Sequence, residues 1–355
     1  MNQTLIPARV PPPGRILMRE LEARGWTQRD LAEITGRPIQ TINEIIQAKK
    51  QITPETALEL AEAFGTSAEF WTNLELNYRL HQARKDNHER DIARKSHLYS
   101  LAPISELMKR GWIQSTHSTQ ELEQEICRFF GINSIDETPK LAINFRCSQE
   151  RNPEAIAQLA WVKQVENVAS QQTVGSFDRA QVQEAIPSIL MLTENPEDIR
   201  RIPDLLLSLG VHFVIVPHLN KTYLDGAAFY LGKHPVVALT LRYNRIDSFW
   251  FTLMHELAHI VAGHQGSYLD DLGNLALNDE EVEANQLAAN WLIDPLALQE
   301  FVVKYQPRFS RKAIEQFAQS QKRHPGIILG RLHNDLLVPH QNLRALLVKV
   351  KAFLS

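Results

Sequence analysis

The stretch from Phe249 to His264, FWFTLMHELAHIVAGH, constrains this chain more than any other, because it sets three ionisable residues inside an otherwise apolar helical run. His255 and His259 are four residues apart, so on an α-helix they share one face with Cβ atoms about 6 Å apart. Both imidazoles can then reach a single divalent ion. Glu256 lies at the edge of that face, where it can hold and deprotonate a zinc-bound water for peptide hydrolysis. Asp247 or Ser248 is placed to cap the start of the helix and Gly263 to end it. A polar triplet in so apolar a setting is costly without a cation to coordinate, and a Zn2+ centre is the expectation.

A zinc hydrolase needs a third protein ligand and an open fourth position. One layout places a third histidine six residues after the second, with a glycine midway; Gln265 and Ala262 stand at those places, so that pattern fails. His264 falls one residue short of it and reads as a surface or capping histidine. The better source is the helical segment from Asp279 to Leu292, DEEVEANQLAANWL. Helical spacing puts Glu283, Ala284, Leu287, Ala288 and Trp291 on its inward stripe, and a carboxylate on such a stripe wants a cation. Glu283 is the favoured third ligand, Glu280 one turn earlier is the alternative, and Glu281 is expected to point elsewhere.

The run FWFTLMHELAHI followed by EVEANQLAANWLIDP resembles the ImmA/IrrE family of zinc metallopeptidases, over about Val211 to Leu332. The resemblance implies a short sheet ahead of the HExxH helix, His255, His259 and Glu283 as metal ligands, Glu256 as the base, and cleavage of a protein partner, often a repressor. Ahead of that helix, VHFVIVP, AAFYLG and PVVALTL are rich in β-branched and aromatic residues and separated by turn residues. They predict a small three-stranded antiparallel sheet packed on the HExxH helix, with an edge able to take an extended peptide as an added strand. His324, just before a helix starting near Pro325, reads either as a helix-start residue or as a group that stabilises an oxyanion. Tyr243, His234 and Arg331 are weaker candidates for the second task, and residues Asn342 to Leu354 predict a final amphipathic helix that caps or dimerises the domain.

At the other end, Pro11 to Pro13 cannot begin a helix interior, so residues Met1 to Pro13 read as an extended arm. Five short helices follow. Ile16, Leu17 and Leu21 mark the first; Thr27 caps the second, Gln28 to Thr35; Pro38 opens the third, to about Gln47; Thr53 and Pro54 start the fourth, through Phe64; Ser67 starts the fifth. The pair separated by Gly36 has the helix-turn-helix layout, whose second helix enters the major groove. The segment from Gly25 to Glu75, GWTQRDLAEITGRPIQTINEIIQAKKQITPETALELAEAFGTSAEFWTNLE, resembles the Cro/repressor helix-turn-helix family, most closely its HigA-like antitoxin branch. That resemblance implies double-stranded operator DNA as a partner, Gln28 at a phosphate, and Gln40, Thr41 and Glu44 on the exposed face of the recognition helix with Asn43 adjacent. Ile39, Ile42, Ile45 and Ile46 read as packing residues, with contact to a thymine methyl as the alternative for Ile39, which stands where relatives often carry a polar reader. Nine Lys and Arg face ten Asp and Glu between Gly14 and Arg84, so non-specific affinity should be weak and a homodimer is expected to supply much of the binding. Arg29, Arg37, Lys49 and Lys50 are the candidates near phosphates.

A chain of 355 residues has room for two or three domains. The charged run Lys85 to Lys95, KDNHERDIARK, is the expected boundary, with Arg84, Lys85, Arg90, Arg94 and Lys95 as further phosphate contacts. The expectation is an α+β, mostly helical protein: a helix-turn-helix domain at 14–84, a helical middle region at 85–200, a zincin-like peptidase domain at 201–335 and a closing helix at 336–355. The middle region reads as a spacer or docking region, with Trp112, Phe129 and Phe130 in its core. A net charge of −3 gives no global field toward nucleic acid or membrane. Cys127 and Cys147, far apart and without a CxxC partner, argue for a reducing cytosol. A start with no apolar core, and no run of eighteen apolar residues, point to a cytoplasmic protein that does not enter the membrane. Two functions follow: a DNA-bound regulator with a working zinc endopeptidase that cuts a repressor, a toxin or itself, or an antitoxin-like repressor whose zinc fold only binds a partner or senses metal. The intact HExxH with Glu256 favours the first.

Overall fold

The computed structural model describes residues 10–83, 88–116, 118–137, 139, 153–220, 222–264, 268–270 and 279–354. Most of the expected N-terminal arm, together with Arg84, Lys85, the side chain of Arg90, Cys147 and Gln265, lies outside the described residues. The chain forms two compact units, Met1–Lys95 and Ser96–Ser355, and the division falls within one helix.

The first unit is built from α1 (Pro13–Arg24), α2 (Gln28–Thr35), α3 (Ile39–Ile46), α4 (Pro54–Phe64), α5 (Ala68–Ala83) and the first part of α6 (His88–Leu101). Local chemistry sets the boundaries. Thr27 and Asp30 form a reciprocal capping box on α2, Thr53 caps α4 ahead of Pro54, and Gly36 ends α2 at φ 65°. Leu17, Leu21, Leu31, Ile42, Ile45, Leu60, Phe64 and Trp71 close the core. Each such side chain contributes roughly 1.5–3 kcal/mol when fully buried. Gly14 lets α1 pass against the carbonyls of Ile45 and Ile46, where a side chain would collide. The buried Glu75 carboxylate accepts from the Ile52 amide at 3.2 Å and pairs with Arg79 at 2.7 Å, which ties α5 to the loop after α3.

The second unit continues with α7 (Ile104–Lys109), α8 (Thr119–Phe130), α9 (Pro153–Ala169), α10 (Arg179–Met191), α11 (Ile202–Ser208), β1 (His212–Ile215), β2 (Gly226–Leu231), β3 (His234–Leu239), α12 (Ile246–Ala262), β4 (Tyr268–Asp270), α13 (Asp279–Leu292), α14 (Pro295–Tyr305), α15 (Arg311–Gln321) and α16 (Pro325–Asn334). Period-two alternation along the strands splits their side chains between two cores. Phe213, Val237 and Leu239 face a cluster with α10 to α16, while Val214, Val236 and Ala238 face one with α6 to α9. A strand buried on both faces reads as a continuous apolar run, which is what PVVALTL shows.

Four expectations are corrected. The three strands form and are joined by a short fourth, in the order β1-β3-β2-β4; β1 runs parallel to β3, while β2 is antiparallel to both β3 and β4. A two-residue turn with Gly232 at φ 65° makes β2 and β3 a hairpin, and β1 takes the far edge of β3. The middle helices are no spacer: Leu98, Leu107, Ile126, Phe129, Trp161 and Val165 pack on the sheet, and Trp161 Nε1 donates to Val216 O at 2.9 Å. The tail is not a helix but two short 3-10 turns, Arg344–Leu346 and Lys351–Phe353. Its backbone is used elsewhere, since Ile246 N donates to Val348 O, and Val350 N and Lys351 N donate to Asn244 Oδ1. The tail thereby braces the start of α12. Asp247 and Ser248 do not cap that helix; Arg245 holds the N-cap position and its guanidinium pairs with Asp247 at 2.7 Å. Among the described residues no helix is long and apolar enough to cross a membrane.

Candidate metal centre and nucleic-acid interface

Helix α12 is buried on nearly every face, and its polar triplet is buried with it: His255 and Glu256 are 0% exposed and His259 is 1% exposed. Burying ionisable groups this deeply costs several kcal/mol each unless charge or coordination offsets it. The Nε2 atoms of His255 and His259 lie 3.0 Å apart. A carboxylate from α13 completes the group, with Glu281 Oε2 3.3 Å from His255 Nε2 and Oε1 3.6 Å from His259 Nε2. The three ligand atoms lie within 4.8 Å of one another. Burial alone would push the Glu281 carboxyl up, but the hydrogen bonds and charge of the two imidazoles outweigh it and hold it far below the usual carboxylate range. Two imidazole nitrogens and one carboxylate around a common point are the His2Glu donor set of a catalytic zinc centre, so the residues fit that ion.

The expected third ligand is therefore corrected. The cluster takes Glu281 and not Glu283, nor the alternative Glu280. The buried stripe of α13 is Ala284, Ala288 and Leu292, one residue per turn, and Glu281 precedes it by three positions. Glu283 sits on the outer side with 59% of its side chain exposed, and its Oε2 lies 3.3 Å from His264 Nε2. His264 is also corrected. It is buried rather than on the surface, and its Nδ1 lies 3.0 Å from His259 Nδ1.

Glu256 faces the start of β2. A side chain at Gly226 would run into Glu256 Oε1 and come within 2.7 Å of Thr252 Cγ2, so only glycine lets the strand approach the helix here. Gly226 pairs with Leu239 on one side and Asp270 on the other, so β4, not β2, is the outer strand beside Glu256 among the described residues. His324 has the structural role of the two considered: its Nδ1 accepts from Gly326 N at 3.0 Å and caps α16. His234 Nδ1 lies 3.1 Å from Gly210 O, Arg331 pairs with Asp335 at 2.7 Å, and the exposed Tyr243 ring stacks with Arg242 and Arg245.

In the first unit, α3 presents Gln40 and Asn43 to solvent. Gln40 Nε2 donates to Glu44 Oε1 at 3.0 Å and Gln47 Nε2 to Asn43 Oδ1 at 2.5 Å, so both are held along the helix surface. Gln28, at the first position of α2, is half-buried with its amide 3.9 Å from Met18 Sδ. Thr41 is corrected: it is 8% exposed and belongs to the packed face, one position from Ile42. Ile39 is corrected in the other direction, being 50% exposed. Of the four cations expected near phosphates, Arg37 is engaged by Glu59, while Arg29, Lys49 and Lys50 are exposed.

Comparison with known families divides the chain along the same lines. Residues 17–71 match a helix-turn-helix family, and residues 211–307 match a peptidase-type family described as an IrrE N-terminal-like domain. The chain joins a helix-turn-helix domain to an IrrE-like domain. Virulence-associated protein I of Dichelobacter nodosus is 36% identical over 81 residues, which is 22% of this chain and 75% of that protein. An HTH-type transcriptional regulator of Escherichia coli, YddM, is 30% identical over 75 residues, 21% of this chain and 80% of the relative. Among solved structures, an addiction module antidote protein of a HigA family from Coxiella burnetii is 35% identical, covering 23% of this chain and 90% of that one, with a TM-score of 0.22. The Pseudomonas aeruginosa antitoxin HigA, solved with the higBA promoter, is 32% identical with the same coverages and a TM-score of 0.22. The IrrE-like domain spans β1 to α14 and so contains all three clustered residues together with Glu256.

Proposed function

We propose that this chain is a DNA-binding transcriptional regulator whose IrrE-like domain is a zinc-dependent endopeptidase acting on a protein partner. One observation carries the enzymatic half: His255, His259 and Glu281 converge in a buried cluster, one side chain away from a fully buried glutamate in the HExxH pattern. Zinc held there would polarise a scissile carbonyl and make water a competent nucleophile near neutral pH. The chain's own residues do the rest. His255, His259 and Glu281 fix the site from two helices, so the position of the attacking oxygen is set by the packing of α12 on α13. Glu256 takes the proton from the attacking water and returns it to the leaving amine. Gly226 keeps the β2 backbone against that carboxylate, which excludes bulk solvent from one side.

The strand beyond β2 gives a substrate backbone a place to pair, so an extended segment of a folded partner or a disordered linker is the substrate class. In the helix-turn-helix domain, Gln40 and Asn43 read base edges from α3, Gln28 approaches a phosphate from the start of α2, and exposed Ile39 meets a thymine methyl. The test is direct. Zinc-loaded wild type and Glu256→Gln are each incubated with proteins co-purified from the same cells. A fragment made only by the wild type supports the reading. Identical fragment patterns would reduce the IrrE-like domain to a partner-binding or metal-sensing module.

A further inference from the structure

His264 lies immediately after the glycine that ends α12. Gly263 adopts φ 77°, and the two hydrogen bonds of a Schellman turn follow: Gly263 N to Ile260 O at 3.2 Å and His264 N to His259 O at 3.1 Å. That turn brings the side chain two positions past the helix end back over the side chain three positions before it. Here those residues are His264 and His259, and their Nδ1 atoms stand 3.0 Å apart in the interior. On its far side, His264 Nε2 faces Glu283 Oε2 at 3.3 Å. The three side chains form a file leading from solvent to the metal cluster.

Proton placement along this file is determined by its inner end. For His259 Nε2 to offer a lone pair beside His255 Nε2 and Glu281, the neutral ring must carry its proton on Nδ1. That proton points at His264 Nδ1, which must then accept, so the proton of His264 resides on Nε2. Glu283 is the acceptor placed there. Resting on the metal-centre reading above, we propose that His264 and Glu283 are positioning residues, a histidine–carboxylate pair that locks His259 in its ligating tautomer and orientation. A ligand's outer hydrogen-bond partner commonly sets metal affinity by about 10- to 100-fold.

The test uses the full-length protein and zinc alone. Zinc affinity is measured by chelator competition for the wild type, His255→Ala, His264→Leu, His264→Asn and Glu283→Ala. His264→Leu, which keeps bulk but removes the acceptor, is expected to weaken zinc by roughly 10- to 100-fold. His264→Asn restores most of that, because its Oδ1 occupies the place of Nδ1. Glu283→Ala, an exposed substitution that does not challenge folding, is expected to lose less than about tenfold. Long-range proton–nitrogen NMR of the zinc-loaded wild type should show His259 protonated at Nδ1 and His264 at Nε2, a readout that mere packing would not produce. Wild-type affinity in both His264→Leu and Glu283→Ala, or the opposite tautomers, overturns this inference while leaving the metal centre intact. Loss in His264→Asn equal to that in His264→Leu also overturns it. Equal zinc binding by wild type and His255→Ala removes the metal centre itself, and this inference with it.

Discussion

Helices α3 and α12 carry the candidate functional residues of their units, and they are built oppositely. On α3 the groups proposed to meet DNA, Gln40 and Asn43, lie on the outer face, and the core beneath them is Ile42 and Ile45. On α12 the candidate groups are in the core itself, with His255, Glu256 and His259 at most 1% exposed. The first arrangement separates stability from function; the second merges them. A surface reading helix can exchange its contact residues at little cost to folding. A helix that buries two imidazoles and a carboxylate holds a cost of several kcal/mol that paired charge or coordination must offset.

Substitutions on the two helices should separate in size and in kind. The largest effect is expected at Glu256: Glu256→Gln should lose about 10²- to 10⁴-fold in cleavage rate while keeping one zinc per chain, measured by fragment formation and metal analysis. A variant that still cleaved would show that α12 holds a metal without a base. Next comes Gly226→Ala, which touches no ligand. Its added methyl meets Glu256 Oε1 and Thr252, so thermal unfolding should show a loss of about 1–3 kcal/mol, with cleavage reduced and metal content unchanged. On α3 the opposite pattern is expected. Gln40→Ala should weaken an operator gel shift by about 1–3 kcal/mol and move stability by no more than about 0.5 kcal/mol. If it left the shift unchanged, α3 would not be the reading helix. Thr41→Ala, on the packed face, should instead act on stability.

The smallest effect concerns His324, which caps α16 in its neutral form. Burial lowers its pKa from the ordinary 6.5, so the unfolded chain takes up the proton first. Its contribution to stability is therefore complete above that value and is lost as pH falls below it. His324→Asn, which keeps an acceptor for Gly326 N, should flatten the decline of the unfolding temperature below about pH 6.5.

What was legible in the chain followed from how local each determinant is. Thr27, Gly36, Thr53 and Gly263 act on their own helix ends, and the helices of the first unit and the end of α12 could be read from them. The HExxH spacing likewise fixed the shared face of His255 and His259. The third carboxylate was not legible, because a pattern of Glu, Ala and Leu over fourteen residues is compatible with two helical phases, and the one realised is set by α12 pressing on Ala284 and Ala288. Thr41 and Ile39 exchanged places for a related reason: the buried side of an eight-residue helix is decided by α1 and α2, not by hydrophobicity alone. The placement of His264 against His259 was within reach, since a glycine at the end of a helix carries the residue after it back over the last turn. The parallel pairing of β1 with β3 was not, because nothing local in VHFVIVP says which strand edge it will meet.

Which carboxylate shares the ion with His255 and His259 is decided by the zinc content and affinity of Glu281→Ala beside Glu283→Ala, both at full length. Convergence of His255, His259 and Glu281 predicts that Glu281→Ala emerges from dialysis without stoichiometric zinc while Glu283→Ala keeps it. Retention of zinc by Glu281→Ala, with loss in Glu283→Ala, would contradict the assignment.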